Sequence, residues 1–257
     1  MGSTISLLGL GAASFVAGAI NSVAGGGSLL SFPALVAFGQ PAILANATNT
    51  AVVWPGTLSS AFAYRKDFPA DRGLVLMLVV SSLLGGLLGA AILVGTPPAL
   101  FQKLTPFLVL FATGLFAARR IFARLLARTD GAAPSSSRWG RAAGFAFQFG
   151  VATYGGYFGA GAGMLMLASF GLMGLTDIHR MNALKTTLAT LLNGIALLYF
   201  AAAGLVVWHL ALGMGACAVA GGYSGARLAK RVDQRIVQKA IVALGLCASA
   251  WLFAKAW

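Results

Sequence analysis

The sequence predicts an all-α polytopic membrane protein made of two inverted-topology repeats, each of about 4–5 helical segments opening on a short broken or re-entrant helix. Three observations carry this. Of the 257 residues, 59% are hydrophobic and only 9% charged. A set of Gly, Asn, Thr, Gln and Lys positions returns 136 residues downstream. Lysine and arginine favour opposite loops in the two copies.

With a mean hydropathy of +0.87, the chain carries more apolar surface than a soluble domain of this length can keep from water. Its charges fall in short clusters, which leaves room for several helices of the roughly 20 residues that a bilayer requires. The net charge of +13 would suit nucleic acid, but the basic residues flank apolar segments and form no basic-aromatic surface. That is the pattern of positive cytoplasmic loops. All five acids are aspartates (Asp67, Asp71, Asp130, Asp177, Asp233), and none sits in the middle of an apolar run; a buried carboxylate relay is not expected. Cys217 and Cys247 lie in apolar stretches and read as small buried hydrophobes. Residues 1–24 have no basic start, since the first Lys or Arg is Arg65, so this segment reads as retained rather than cleaved.

In order, apolar segments run over 5–22, 27–39, 46–64, 73–94 and 99–118, then over 141–158, 163–175, 182–203, 205–226 and 236–254. The second segment spans 13 residues, about 20 Å as a helix, which is short of a hydrocarbon core about 30 Å thick. Its mate at 163–175 is equally short. Five full spans per repeat, or three preceded by a hairpin that enters and leaves on one side, both give the odd number of crossings that inversion requires, and these short segments favour the hairpin. The third segments begin with polar residues, the fourth carry Gly85-Gly89 and Gly221-Gly225, and the fifth begin with Gln102-Lys103 and Gln238-Lys239. The domain layout follows: 1–118 is a first transmembrane repeat, 119–140 a basic cytoplasmic linker and 141–257 a second repeat, within one integrated membrane domain.

A shift of 136 residues superposes Gly25, Gly27 and Leu29 on Gly161, Gly163 and Leu165, and Asn46, Ala47 and Thr50 on Asn182, Ala183 and Thr186. The loop after the third segment carries Arg65, Lys66 and Arg72 in the first copy and no base in the second. The next loop reverses this, with Lys103 against Arg227, Lys230, Arg231, Arg235 and Lys239. Equivalent loops thus fall on opposite sides, the arginine-rich linker is cytoplasmic and both termini face outward.

Two patches could carry chemistry. The first comprises Asn21, Ser22, Gly25, Gly26, Gly27, Ser28, Ser31 and Pro33. Its glycines would let the backbone unwind beside a solute, and a helix starting near Ser28 would offer free amides and a positive dipole end to an anion. Close packing of small residues is the competing account, and it is the expected role of both GxxxG motifs. The matching patch holds Tyr154, Gly155, Gly156, Tyr157, Gly159, Gly161 and Gly163. Its glycine spacing lacks the strand and βαβ setting of a dinucleotide site; the tyrosines offer hydroxyls or serve as interfacial anchors. The third segments place Asn46, Asn49 and Thr50, and likewise Asn182, Lys185 and Thr186, on one helical face. Lys185 is the sharpest candidate, because an ammonium one to two turns into an apolar helix needs an anion, water or the interface. His179 and Arg180 read as orientation signals in a loop, and Asp177 as a helix cap. Trp54 and Asn193 fit a packed or interfacial role as well as a place along the path.

The run Asn21-Ser22-Val23-Ala24-Gly25-Gly26-Gly27-Ser28, then Phe32-Pro33, then Ala45-Asn46-Ala47-Thr48-Asn49-Thr50, with a degenerate second copy, resembles the TauE/SafE sulfite exporter family of the four-toluene sulfonate uptake permease group. The likeness covers nearly the whole chain. It implies a bacterial or archaeal inner-membrane transporter of small anions, often sulfite, sulfonates or other organosulfur compounds. In the second copy Gly161-Ala162-Gly163 replaces the triple glycine and Lys185 replaces Asn49.

Together these readings predict alternating access around a midplane site between the two breaks, with Lys185 as counter-charge and the asparagines and Thr186 as donors. No Walker sequence, metal-spaced His or Cys cluster or Ser-His-Asp set is present, so neither enzymatic activity nor a cofactor is expected. The expected partners are a small anion and the lipid bilayer, not nucleic acid, and a homodimer is compatible with the sequence. An anion channel is the nearest alternative, with a non-transporting scaffold or a membrane enzyme more distant.

Overall fold

The computed structural model describes residues 2–24, 26–69, 71–118, 138–175, 177–228 and 234–256. The expected linker arginines from Arg119 to Arg128, Asp130, the Pro134–Ser137 stretch, Lys230, Arg231 and Asp233 lie outside the described residues, as does Gly25. Among the described residues there are ten α-helices and no strand. They are α1 (Gly2–Ala24), α2 (Ser28–Ala37), α3 (Ala42–Ala63), α4 (Arg72–Gly95), α5 (Pro98–Ala117), α6 (Arg138–Tyr157), α7 (Ala162–Leu172), α8 (Ile178–Ala202), α9 (Trp208–Leu228) and α10 (Gln234–Ala256). The chain is an all-α polytopic membrane protein. Four helices are long and apolar enough by length and composition to cross a bilayer: α4, α5, α8 and α10.

The helix starts keep the spacing of the sequence. α3, α4 and α5 begin at 42, 72 and 98, and α8, α9 and α10 at 178, 208 and 234, each 136 residues later. The two short helices hold 10 and 11 residues, about 15–17 Å at 1.5 Å per residue. Both end in the same way. The amide of Gln40 reaches back to the Leu35 carbonyl (3.0 Å) and that of Leu175 to the Phe170 carbonyl (3.0 Å), a wrap across Gly39 and Gly174 that satisfies the last carbonyls of each helix. The basic turn after α3 forms a 3₁₀ turn, Arg65–Asp67, and Asp71 accepts the Leu74 amide (3.0 Å) at the start of α4. His179 and Arg180, expected in a loop, instead form the first turn of α8.

The packing inverts the usual arrangement of a soluble fold. On α4, Leu76, Val80, Leu84, Leu88 and Ile92 are exposed, while Ser81, Ser82, Gly85, Gly86 and Gly89 are buried. The exposed residues recur every four positions, a stripe suited to lipid, and the small residues face protein. On α5, Leu100, Leu104, Phe107 and Phe111 form a similar stripe. Cys247, expected to be buried, is exposed among the outward residues of α10, and Cys217 is half-buried.

The chain divides into two compact units that do not follow the sequence repeats. The first comprises Met1–Gly56, Val94–Ala117 and Phe200–Trp257, and so holds α1, α2, the start of α3, α5, α9 and α10. In it α1 packs on α9 so closely that a Cβ on Gly18 would overlap the Ala218 carbonyl, and one on Gly221 the Phe15 carbonyl. Near the start of α10, Gln238 donates to the Phe116 (3.2 Å) and Ala117 (3.3 Å) carbonyls at the end of α5, so these two helices run antiparallel.

The second unit comprises Thr57–Leu93 and Ala118–Tyr199. Here α4 lies against α6, where a Cβ on Gly85 or Gly89 would collide with the Phe149 or Thr153 carbonyl, and one on Gly156 with Gly86. Gln148 on α6 donates to Ser82 (2.9 Å) within this contact. Leu78, Val151, Met166, Phe170, Met181, Leu184, Leu188 and Leu192 form the core that joins α4, α6, α7 and α8. In each unit, then, the first helix of one repeat seats on the fourth helix of the other.

Candidate functional site

In the first unit, α1 ends at Ala24 and α2 starts at Ser28. The backbone turns at Gly26, whose φ of 90° is open to glycine and strained for other residues. The same glycine packs under Phe116, and a Cβ on Gly27 would lie 2.5 Å from the Ala17 carbonyl. These two glycines therefore serve close packing as well as the break. The break does not fall at the end of a membrane span. Gly26 borders a crevice with Ile241 and Leu244, part-way along α10, whereas Val36 at the other end of α2 accepts from Lys255 (3.2 Å) in the last turn of α10.

The start of α2 corrects one expectation. The amides of Leu29, Leu30 and Ser31 already donate to the Gly26 and Gly27 carbonyls at 3.0–3.1 Å, so these three are not open to a solute. What remains there is the positive end of a short helix dipole, half-buried Ser28 and Asn21, a polar residue that stays exposed beside Gly27.

The start of α3 carries a buried polar set: Asn46, Thr48, Asn49 and Thr50. The Ser31 hydroxyl donates to Asn49 Oδ1 (2.5 Å), which ties α3 to the short helix. Asn49 is thereby held with its carbonyl occupied, which leaves its NH₂ group as a donor. Thr48 accepts the Val207 amide (3.0 Å) and so anchors the chain entering α9. Thr50 returns its hydroxyl proton to the Asn46 carbonyl, four residues back (3.1 Å).

In the second unit the equivalent positions keep Asn182 and Thr186 but put Ala162 for Gly26, Leu167 for Ser31, Leu184 for Thr48 and Lys185 for Asn49. Gly161, at φ 82°, precedes α7, and its carbonyl accepts the Met164 (2.9 Å) and Leu165 (3.4 Å) amides. Tyr154 donates its hydroxyl to the Ala160 carbonyl (2.6 Å) and so braces this turn; half-buried Tyr157 closes α6. On α8, Thr186 donates to the Asn182 carbonyl (2.8 Å), as Thr50 does to Asn46. Lys185 takes the place of Asn49. Its Nζ donates to Asn182 Oδ1 (2.8 Å), and its aliphatic stem lies beside Gly163 on α7. Like Asn49, Lys185 touches the short helix of its own repeat. The one ion pair among the described residues joins Arg180 to Asp177 (3.2 Å), outside the apolar part of α8, so no carboxylate of those residues neutralises Lys185.

Asp177 caps α8, accepting the His179 (2.9 Å) and Arg180 (3.3 Å) amides. The Arg180 amide first, then that of His179, holds its carboxyl below the usual carboxylate range. Sequence reasoning placed Ser31 in the first patch but not as the partner that fixes Asn49, and it left Gln148 out. A serine in a short apolar helix was the available signal for the first. For Gln148, buried on α6 with Oε1 unpartnered, the signal was a lone amide in an apolar run.

Residues 10–252 match the family described as Sulfite exporter TauE/SafE. Similar proteins include a "Probable membrane transporter protein" of Haemophilus influenzae, 27% identical over 241 residues that cover 92% of this chain and 90% of that protein. "Probable membrane transporter protein ORF9" of Sinorhizobium sp is 25% identical over 255 residues, 94% and 90% of the two chains. "Probable membrane transporter protein YfcA" of Escherichia coli K12 is 28% identical over 260 residues, 96% and 91% of the two chains. No solved structure matches the chain significantly. A helical membrane chain with two short broken helices, matched to the family over nearly its whole length, is a membrane transporter that belongs to the sulfite exporter TauE/SafE family.

Proposed function

We propose that the protein is a secondary transporter of small anions, sulfite, a sulfonate or another organosulfur anion, which works by alternating access between two inverted repeats in the inner membrane. The observation that carries the reading is Lys185, a half-buried ammonium in an apolar helix that donates to the neutral Asn182 Oδ1 (2.8 Å). Such a cation is costly in a bilayer unless an anion or water completes it, and a conformation in which only Asn182 does so leaves two N–H donors to spend. The broken helices favour the same sign of solute, since each directs the positive end of its dipole toward its break. Sulfite as cargo is supported by the family's description.

Reconstitution into liposomes tests this. Purified protein should move labelled sulfite or a small sulfonate saturably, with counterflow, and should not move cations of similar size. Lys185→Met should lower anion flux at least about tenfold, the loss of one charge-assisted hydrogen bond, while the protein keeps its detergent-solubilised melting temperature. Lys185→Arg, with the charge kept and the compact ammonium lost, should fall between. Unchanged anion flux in Lys185→Met would remove the counter-charge role, and flux without counterflow would make the protein a channel.

A further inference from the structure

A cavity of about 270 Å³ lies wholly within the first compact unit, at the end of α2 away from the glycine break. Its walls are the turn between α2 and α3 (Gly39, Gln40, Pro41), the early part of α5 (Gln102, Thr105) and the last turn of α10 (Leu252, Lys255). Lys255 Nζ donates to the Val36 carbonyl (3.2 Å) and stands 5.0 Å from the Trp251 ring centroid. An ammonium has three N–H donors, so that single hydrogen bond leaves two. No acidic side chain lines the cavity. Gln40 and Gln102 add amide donors, and Ala42 brings the positive end of the 22-residue α3 to the wall. Val36 and Leu252 supply an apolar side.

Capping explains part of this arrangement, because a lysine at the C-terminal end of α2 offsets the dipole of that helix. It does not explain a cavity at the same point, nor two glutamines and a second helix, α3, that meets the cavity with its positive end. The volume is close to the lower end of small-molecule pockets, about 300 Å³, and well above that of a bare oxyanion. We propose that this cavity binds a small organic oxyanion, with its charged group on Lys255, Gln40 and Gln102 and its apolar part against Val36 and Leu252. α2 is ten residues long, which puts this second site about 15 Å from the break at its other end, on residues that do not include Lys185. Its chemistry would suit equally a sulfonate from solution and the phosphate of a lipid headgroup.

Trp251 provides a local reading. Protein in phosphatidylcholine nanodiscs is titrated with propanesulfonate, and the part of the tryptophan fluorescence change that Trp251→Phe removes is followed. A second arm replaces propanesulfonate with phosphatidylglycerol in the disc. A saturable, Trp251-dependent change in either arm is expected, and the arm that shows it names the source of the anion. Lys255→Gln and Gln102→Leu should each raise the apparent Kd about tenfold, the weight of one charge-assisted contact. Gln102 is exposed and bonds nothing in α2, so its variant keeps the test open if Lys255→Gln folds poorly. Lys185→Met should leave the response intact, which separates this site from the proposed transport site. A change in neither arm, or one that survives both cavity variants, would show that Lys255 only caps α2 and would overturn the proposal.

Discussion

At the scale of single residues, positions 49 and 185 hold most of the interest, because they are equivalent in the repeat and differ in charge. Both contact the short helix of their own repeat, Asn49 through Ser31 and Lys185 along Gly163. Their neighbours Thr50 and Thr186 were candidates on the same face, yet both send their hydroxyl protons to carbonyls four residues back. A group whose donor is spent within its own helix has little to offer a solute. Asn49→Ala should therefore reduce anion flux about tenfold, and Thr50→Val less than twofold, measured side by side in liposomes. Equal losses in the two variants would mean that Thr50 turns outward during transport. The spacing of the third segments was enough to pick out Asn46, Asn49, Asn182 and Lys185. It was silent on which donors are already used, because that depends on rotamers and on what the facing helix presents, and Ser31 is visible as a partner only once α2 and α3 meet.

At the scale of elements, the existence of the helices was more legible in the pattern of residues than the identity of their neighbours. The short second and seventh helices follow from length alone, and Gly85, Gly89 and Gly221 read correctly as packing residues. Nothing local says that Gly85 and Gly89 meet α6, or that Gly221 meets α1, since a small residue announces a close approach without naming the partner. The contacts themselves are severe enough to test. A side chain on Gly221 would run into the backbone of Phe15, whereas one on Gly213 on the same helix meets nothing within 4 Å. Gly221→Val should destabilise the fold by about 3 kcal/mol or more and cut the yield of monodisperse protein. Gly213→Ala should hold or raise the detergent melting temperature, since alanine is favoured over glycine inside a helix by up to about 1 kcal/mol.

At the scale of the whole molecule, the compact units exchange helices between the repeats: α1 rests on α9 and α4 on α6. This interleaving was not legible from the 136-residue spacing, which reports similarity between copies and not which copy each helix packs against. The antiparallel pair α5 and α10 does speak to orientation. The Gln238 bonds to Phe116 and Ala117 bring together the end of α5 and the start of α10, and the sequence after the one and around the other carries the two heaviest basic runs. The charge rule would make that end of the helix pair cytoplasmic and the far end of α10, at Ala256, extracytoplasmic, an orientation that labelling from either face can test. An inverted arrangement makes a stricter demand. The loop between α3 and α4 carries Arg65 and Lys66, its equivalent between α8 and α9 carries no base, and the two should lie on opposite sides of the membrane. In a background with Cys217→Ser and Cys247→Ser, a membrane-impermeant maleimide applied to intact cells should label Ala203→Cys and spare Lys66→Cys. Inverted vesicles should give the reverse. Labelling of both positions from one side would leave two copies in parallel, and with them no opposed breaks for an alternating mechanism to use.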